Sequence, residues 1–570
     1  MAANRGSEWR RVGRRAAVRA GAAGVGLAGL YLAACGGDDT ADTQGDGGAR
    51  AELRTATVQA ATTKQPKPGG AVTTQLPTAP PSLDPYTQTS FLAQWVAGFS
   101  YSKLMRFRAG VPEVNPDDFT MEPDLAAAMP EQQDPQTLVY KLKPATWHNV
   151  PPTNGRALTA EDARYAIDRY ANFDRSVWKS SWAYVDKLET PDAQTLVIKT
   201  KFPFADAVQI AGGHTGAFIS PRELAESPEA ATKMVGSGYY LLKEYQTGVS
   251  LTFTKNPDYY NAPQPYFDEL RLFVVTDTAK RVADFSAKSV NLTYLFLPDE
   301  RDQIKRNRPD AKSEETQGIG SYIYLRTDKP PFNDKRVRQA LSMGINRKAI
   351  RDALTKGEGQ PDQIIYVGFQ DWARPVKDLG PAAKYWDHNP AEAKALLAAA
   401  GASNLTFDWS HADAAVYTQP YVDTATLTQA QWKEIGVNVV DKQQPYAQYI
   451  ASTYQGQYEG VGHSPRSVFY LMAYLSERLY TSSSGQRGRI NLSYVNNPQL
   501  NQLLDKQRGQ FDVAERKKSV TEIETICAEE QYEIYYSTDT RTYFWDPDIE
   551  NYRPTHWYPF VFPIRAWRER

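Results

Sequence analysis

The chain has 570 residues, with 65 Lys and Arg against 66 Asp and Glu and a formal net charge of −1. That length exceeds what one simple hydrophobic core accommodates, so more than one lobe is expected. A near-neutral chain with no basic stripe speaks against nucleic acid as a partner.

The first 34 residues carry six arginines against Glu8, a net +5, which leaves −6 on the rest of a chain whose total is −1. Arg10, Arg11, Arg14, Arg15 and Arg19 are followed by an uncharged run from Ala20 to Ala34. This is a charged n-region and a short apolar h-region, too short for the about 20 residues that span a bilayer. Leu32-Ala33-Ala34-Cys35 closes the run and resembles a bacterial lipobox. The resemblance implies a signal peptide over residues 1–34 and a lipid on Cys35, which anchors an exported protein to the membrane. Gly13 to Arg19 resembles a degenerate twin-arginine signal, and ordinary Sec export stays equally open. With Cys35 acylated, Cys527 has no partner for an internal disulfide. Residues 35–68 are rich in Gly, Ala, Thr, Asp and Gln, and read as a flexible tether.

The folded body is expected from Gly69. Pro77 to Pro85 is stiff and turn-rich, and Phe91 to Leu104 is amphipathic and reads as a helix. Thr137 to Lys143 reads as a strand. Thr159 caps a helix whose inner face is Ala163, Ala166, Ile167 and Tyr170. Tyr239 to Tyr245 and Val249 to Lys255 flank Gln246-Thr247-Gly248 as a hairpin. Tyr322 to Leu325 is a strand, Asp334 or Asn333 caps the next helix, and Asn346 begins another with Ile350 and Leu354 facing inward. Asn389-Pro390 opens a helix that Gly401 ends. A strand over Leu405–Trp409, a loop over Ser410–Asp413, a helix to Glu434 and a strand from Val437 form a βαβ pattern, which predicts an α/β fold. Helices from Asn497 and over Val513–Glu530 follow, then strands at Tyr532–Tyr536 and Tyr543–Trp545.

Several motifs together resemble the family-5 bacterial extracellular solute-binding proteins, the oligopeptide, dipeptide and nickel receptors of ABC importers. They are Pro123-Asp124-Leu125-Ala126, Trp147-His148-Asn149, Leu158 to Asp162, Val235 to Tyr240 and Lys255 to Tyr260. The most specific is Lys329 to Leu341 with Ile345 to Ile350 behind it. The resemblance implies a two-lobed periplasmic-binding-protein-like fold of the large type II class, with a ligand cleft between the lobes. It places the crossings near Phe273–Thr278 and Ile534–Thr538. The first lobe is then 69–275, completed by 536–570, and the second is 276–535. The implied protein is a monomeric receptor that passes a small-molecule or short-peptide ligand to an ABC permease. An exported enzyme or a sensor on the same scaffold are the alternatives.

No His-Glu-x-x-His, Cys-x-x-Cys, P-loop or Gly-x-Ser-x-Gly pattern is present, so no catalysis and no cofactor is expected. The histidines lack metal-ligand spacing, so no metal is expected. Gly318-Ile319-Gly320 lacks the rest of a dinucleotide fingerprint, and Cys527 reads as a buried small hydrophobe. Ligands of open α/β sheets sit beyond the carboxyl ends of strands, which brings Trp409 and His411 forward as contacts. The family resemblance adds Tyr446 as a cleft aromatic and Thr78 in the proline-rich loop. Tyr322 lies on a strand whose alternation leaves core and cleft equally open. In the loop Gly460 to Tyr470, peptide-binding relatives carry an aspartate for the peptide's amino terminus. Here the loop offers Arg466 and His463 instead, which favours an anionic or neutral solute.

Overall fold

The computed structural model describes residues 58–116, 120–213, 216–295, 297–369, 371–466, 471–555 and 564–569. The expected signal segment, Cys35 and the tether up to residue 57 lie outside the described residues. The tether's last residues are docked on the body: Gln59 N donates to Pro112 O at 3.1 Å, and Lys64 Nζ reaches Glu550 at 3.1 Å.

Apolar alternation builds the first lobe. Strands Ala71–Leu76, Glu269–Val274, Ser250–Lys255 and Tyr240–Gln246 form one sheet in that order, with the first pair parallel. Helix Phe91–Ser100 buries Leu92, Trp95, Val96 and Phe99 in the core beside this sheet, with Phe253, Leu270 and Leu272. A second four-stranded sheet, drawn from residues 131–200, packs with helix Ala160–Asn172 around a separate core. That helix is held by the expected cap: Thr159 N donates to Asp162 Oδ2 at 2.9 Å, closing a capping box.

The second lobe is a five-stranded sheet ordered Val437–Gln444, Leu405–Ala412, Val461–Pro465, Ser321–Leu325, Glu533–Tyr535. Its core is drawn wholly from residues 322–536. Helix Lys335–Met343, capped by Asp334, is tied to the end of helix Val513–Glu530 because Arg338 donates to Glu530 O and Oε2, each at 2.8 Å. Cys527 is buried in this core as a free thiol.

The chain leaves the four-stranded sheet after Val274 but stays in the first lobe, so the crossing does not fall near Phe273–Thr278, where it was expected. Leu292–Leu295 and Lys312–Gln317 pair on either side of Thr540–Trp545 in a three-stranded sheet. Leu292, Tyr294, Tyr543 and Trp545 share the first-lobe core. The passage to the five-stranded sheet falls at Gly318–Gly320, and the return falls between Tyr535 and Thr540. Two segments therefore run side by side, joined by Gly318 N donating to Asp539 O at 2.9 Å and Tyr536 N donating to Ser321 O at 3.0 Å. Close approach explains the glycines that had suggested no function: a Cβ on Gly318 would lie 1.5 Å from Asp539 Oδ1, and one on Gly320 would lie 2.7 Å from Ser537 O.

Candidate functional site

A cavity of about 260 Å³ lies at the junction of the lobes. The first lobe contributes Pro77, Phe91, Leu92, Tyr294 and Leu297, and the crossing contributes Ile319, Gly320 and Ser537 to Asp539. Strand polarity explains the rest. Ala71–Leu76 ends just before Pro77, Leu405–Ala412 before the segment holding Val416–Thr418, Val437–Gln444 before Tyr446, and Val461–Pro465 at Arg466. The cavity thus collects residues from the carboxyl ends of strands in both lobes, as open α/β sheets dictate. Thr418 lines it at φ 72° and ψ 166°, backbone space that β-branched residues avoid and that costs of order 1–3 kcal/mol.

The lining is aromatic and cationic. Tyr294, Tyr417, Tyr421, Tyr446, Tyr454 and Tyr536 stand with Ile350, Leu354 and Ile450, and the charged members are Arg347, Arg351, Arg466, Arg541 and Asp539. Asp539 keeps 29% of its side chain exposed, yet burial pushes its carboxyl up to about 6 against the pull of Arg541. Arg347 is buried and donates to Tyr535 O at 2.6 Å, Ser342 Oγ at 2.7 Å and Ser342 O at 3.0 Å. Burial lowers its pKa to about 10.

The structure brings two of the seven expected contacts to this cavity. Tyr446 lines it, 3.4 Å from Ser90 Oγ of the first lobe, and packs edge-on against Tyr417. Arg466 reaches the wall, but its guanidinium is already used. It is fully buried, donates to Asp362 Oδ2 at 2.6 Å, and bonds the carbonyls of Gln363 and Ile364. Thr78 stands next to the lining residue Pro77 and is not itself in the lining.

The remaining four lie in the second-lobe interior. Strand Leu405–Ala412 runs three residues past the expected end, so Trp409 and His411 are within it and not beyond it. Trp409 packs on Trp432, with ring centroids 5.1 Å apart. His411 is held by Asp441 Oδ1 at 2.9 Å and Ala412 O at 2.8 Å. His463 stacks on Tyr421 at 4.3 Å, and burial keeps it neutral. Tyr322 takes the core side of its strand, stacked on Tyr535 with the Arg478 guanidinium 3.8 Å from its ring.

Arg351 escaped the sequence reading. Its signal was present: Arg347, Ile350, Arg351 and Leu354 fall at i, i+3, i+4 and i+7, so two arginines share the stripe recognised as inward by its apolar members. Among the described residues, no cluster of three His, Cys, Asp or Glu side chains could hold a metal, and no helix is long and apolar enough to cross a membrane.

The family model described as Bacterial extracellular solute-binding proteins, family 5 Middle, matches residues 120–486. A putative ABC transporter peptide-binding protein of Brucella ovis is 27% identical over 331 residues, 56% of this chain and 59% of that protein. The chain therefore spans about three fifths of that relative's length. A glutathione-binding protein of Pectobacterium atrosepticum is 25% identical over 458 residues, 76% of this chain and 82% of the relative. Among solved structures, AgaA of Agrobacterium tumefaciens with agropinic acid superposes at a TM-score of 0.75 and 22% identity, over 88% of this chain and 99% of that one. DppA of Helicobacter pylori with a peptide gives the same TM-score and coverage at 17% identity. These two establish the fold.

Proposed function

Because the chain belongs to the bacterial extracellular solute-binding proteins of family 5, we propose that it is the extracytoplasmic receptor of an ABC importer. It encloses a compact solute between its lobes, performs no chemistry on it, and hands it to a membrane permease. The observation that carries this reading is the cavity at the crossing, with walls drawn from both lobes. A solute there touches both bodies, and only a ligand with differential affinity for the closed form shifts an open–closed equilibrium. The moving bodies are residues 69–318 with the C-terminal segment from 539, and residues 319–538, turning about the paired crossing segments. At about 260 Å³ the closed cavity suits a solute at the small end of the usual ligand range. The relatives' names, peptide, glutathione and agropinic acid, fit solutes of that order. Export and acylation at Cys35 hold the receptor at the outer face of the membrane.

The test is mass spectrometry of the solute that co-purifies with the protein, followed by its return to stripped protein. Returned solute should stabilise the fold by about 2.7 kcal/mol at a hundred times its dissociation constant. A protein that carries no solute and is stabilised by none would refute the receptor reading.

A further inference from the structure

The four cavity arginines differ in what holds them. Arg466 is paired with Asp362, and Arg541 lies 4.0 Å from Asp539. Arg347 is bonded to neutral oxygens, and among the described residues no carboxylate lies within 4 Å of it. Its charge is uncompensated, but its hydrogen bonds are largely committed to the scaffold.

Arg351 differs from all three. It stands one turn along the same helix, Arg347–Thr355, and lines the same cavity. Only 19% of its side chain is exposed, and among the described residues the guanidinium makes no hydrogen bond. Its Nε is shut off from solvent without an acceptor. The nearest carboxylate oxygen, Asp352 Oδ1, is 3.8 Å away, and the other oxygen of Asp352 is held by Lys348 at 2.5 Å. A buried N–H that has lost its water and gained no acceptor is costly, and the cost is recovered when a carboxylate accepts from Nε and the neighbouring Nη. Ile350 and Leu354 flank it on the cavity wall, with the tyrosines around them.

We infer that the cavity binds a compact organic acid, whose carboxylate lies against Arg351 and whose apolar or aromatic body packs on Ile350, Leu354 and the tyrosine wall. Arg347 adds charge behind the contact, with four of its five N–H donors already committed to the scaffold. The inference rests on the reading of the cavity as the solute site.

Calorimetry on the stripped protein at neutral pH tests it with a panel of phenylacetate, indole-3-acetate, isovalerate and N-acetylphenylalanine. Each acid is paired with its uncharged amide, beside the free dipeptide Phe-Leu. Acids should bind at least tenfold more tightly than their amides, about 1.4 kcal/mol. Arg351→Met, and Arg351→Gln should the first variant fold poorly, should bring acid down to amide. Equal binding of acid and amide, an acid preference that survives Arg351→Met, or no acid bound at millimolar concentration would each overturn the inference. Val416→Trp, which fills the cavity from a half-buried position, separates the two levels. If amides bind and Val416→Trp abolishes their binding, the solute site stands and the acid preference falls. If binding survives Val416→Trp, the cavity is not the solute site and both fall.

Discussion

Arg516 Nη1 donates to Asp206 Oδ1 at 2.8 Å across the junction of the lobes, 310 residues apart in sequence. Asp206 directly precedes helix Ala207–Gly212 of the first lobe, and Arg516 belongs to helix Val513–Glu530 of the second. The pair is buried, and Gln507 Oε1 accepts from Arg516 Nε at 3.0 Å. Neighbouring contacts make the same bridge: Ala205 N donates to Arg508 O at 2.8 Å, and Ser180 Oγ to Glu477 Oε2 at 3.1 Å.

In the proposed receptor this pair would act as a latch for the closed form. Removing one partner of a buried ion pair costs about 3–5 kcal/mol when the other stays buried, but opening the lobes rehydrates it. Asp206→Asn should therefore weaken solute affinity by about tenfold or more, near 1.4 kcal/mol, while the unfolding midpoint of solute-free protein changes little. Unchanged affinity would mean that the pair does not hold the lobes together.

Arg466 and Asp362 make a structural pair, not a ligand clamp. Asp362→Asn strands a fully buried guanidinium and should lower folding stability by about 3–5 kcal/mol in urea titration. Exchanging both, as Asp362→Leu with Arg466→Met, should restore part of that loss. A stable Arg466→Ala protein whose only defect is solute binding would return Arg466 to the ligand.

Asp539 predicts a pH dependence. Its carboxyl is raised to about 6 from an ordinary 3.8, chiefly by burial, with Arg541 and Arg301 opposing. The folded protein then binds this proton more readily than the unfolded chain between those values. The contribution to stability falls as pH rises through that window and is flat above it. For an organic acid the loss of a negative charge from the wall favours binding, so affinity should rise severalfold as pH falls from about 7.5 to about 5.5, the window around the raised pKa. Asp539→Asn should flatten the profile at its low-pH level. A profile that Asp539→Asn leaves unchanged would assign the titration elsewhere.

Cys35 is the site of the proposed lipid anchor. Cys35→Ala should abolish acylation and leave the protein in the soluble exported fraction or as uncleaved precursor. Wild-type membrane fractionation of the variant would refute the lipobox reading.

Much of the architecture was legible in the sequence because caps and periodicities are local. Asn346, Asn389 and Asn497 accept the expected backbone bonds at helix starts, and Asp512, not among the expected caps, does the same ahead of Val513. The sheet crossing was not legible. Leu292–Leu295 carries no local mark of its lobe, and only its pairing with Thr540–Trp545, over two hundred residues away, assigns it to the first. The cavity was legible in part: it lies at the carboxyl ends of strands, as expected, but Ser410, His411 and Ala412 extend their strand. That extension carries Trp409 and His411 into the core and hands the wall to Val416–Thr418. Arg466 was singled out because its loop lacks an aspartate. Its counter-ion, Asp362, lies on a distant loop and no spacing points to it.

Small-angle scattering of stripped protein, before and after return of its co-purified solute, addresses the central claim. A receptor that closes on its ligand loses radius of gyration on binding, and the Asp206→Asn protein should show a smaller loss at the same subsaturating solute concentration. Tight binding with an unchanged radius of gyration would contradict closure about the Gly318–Gly320 and Tyr536–Asp539 crossings.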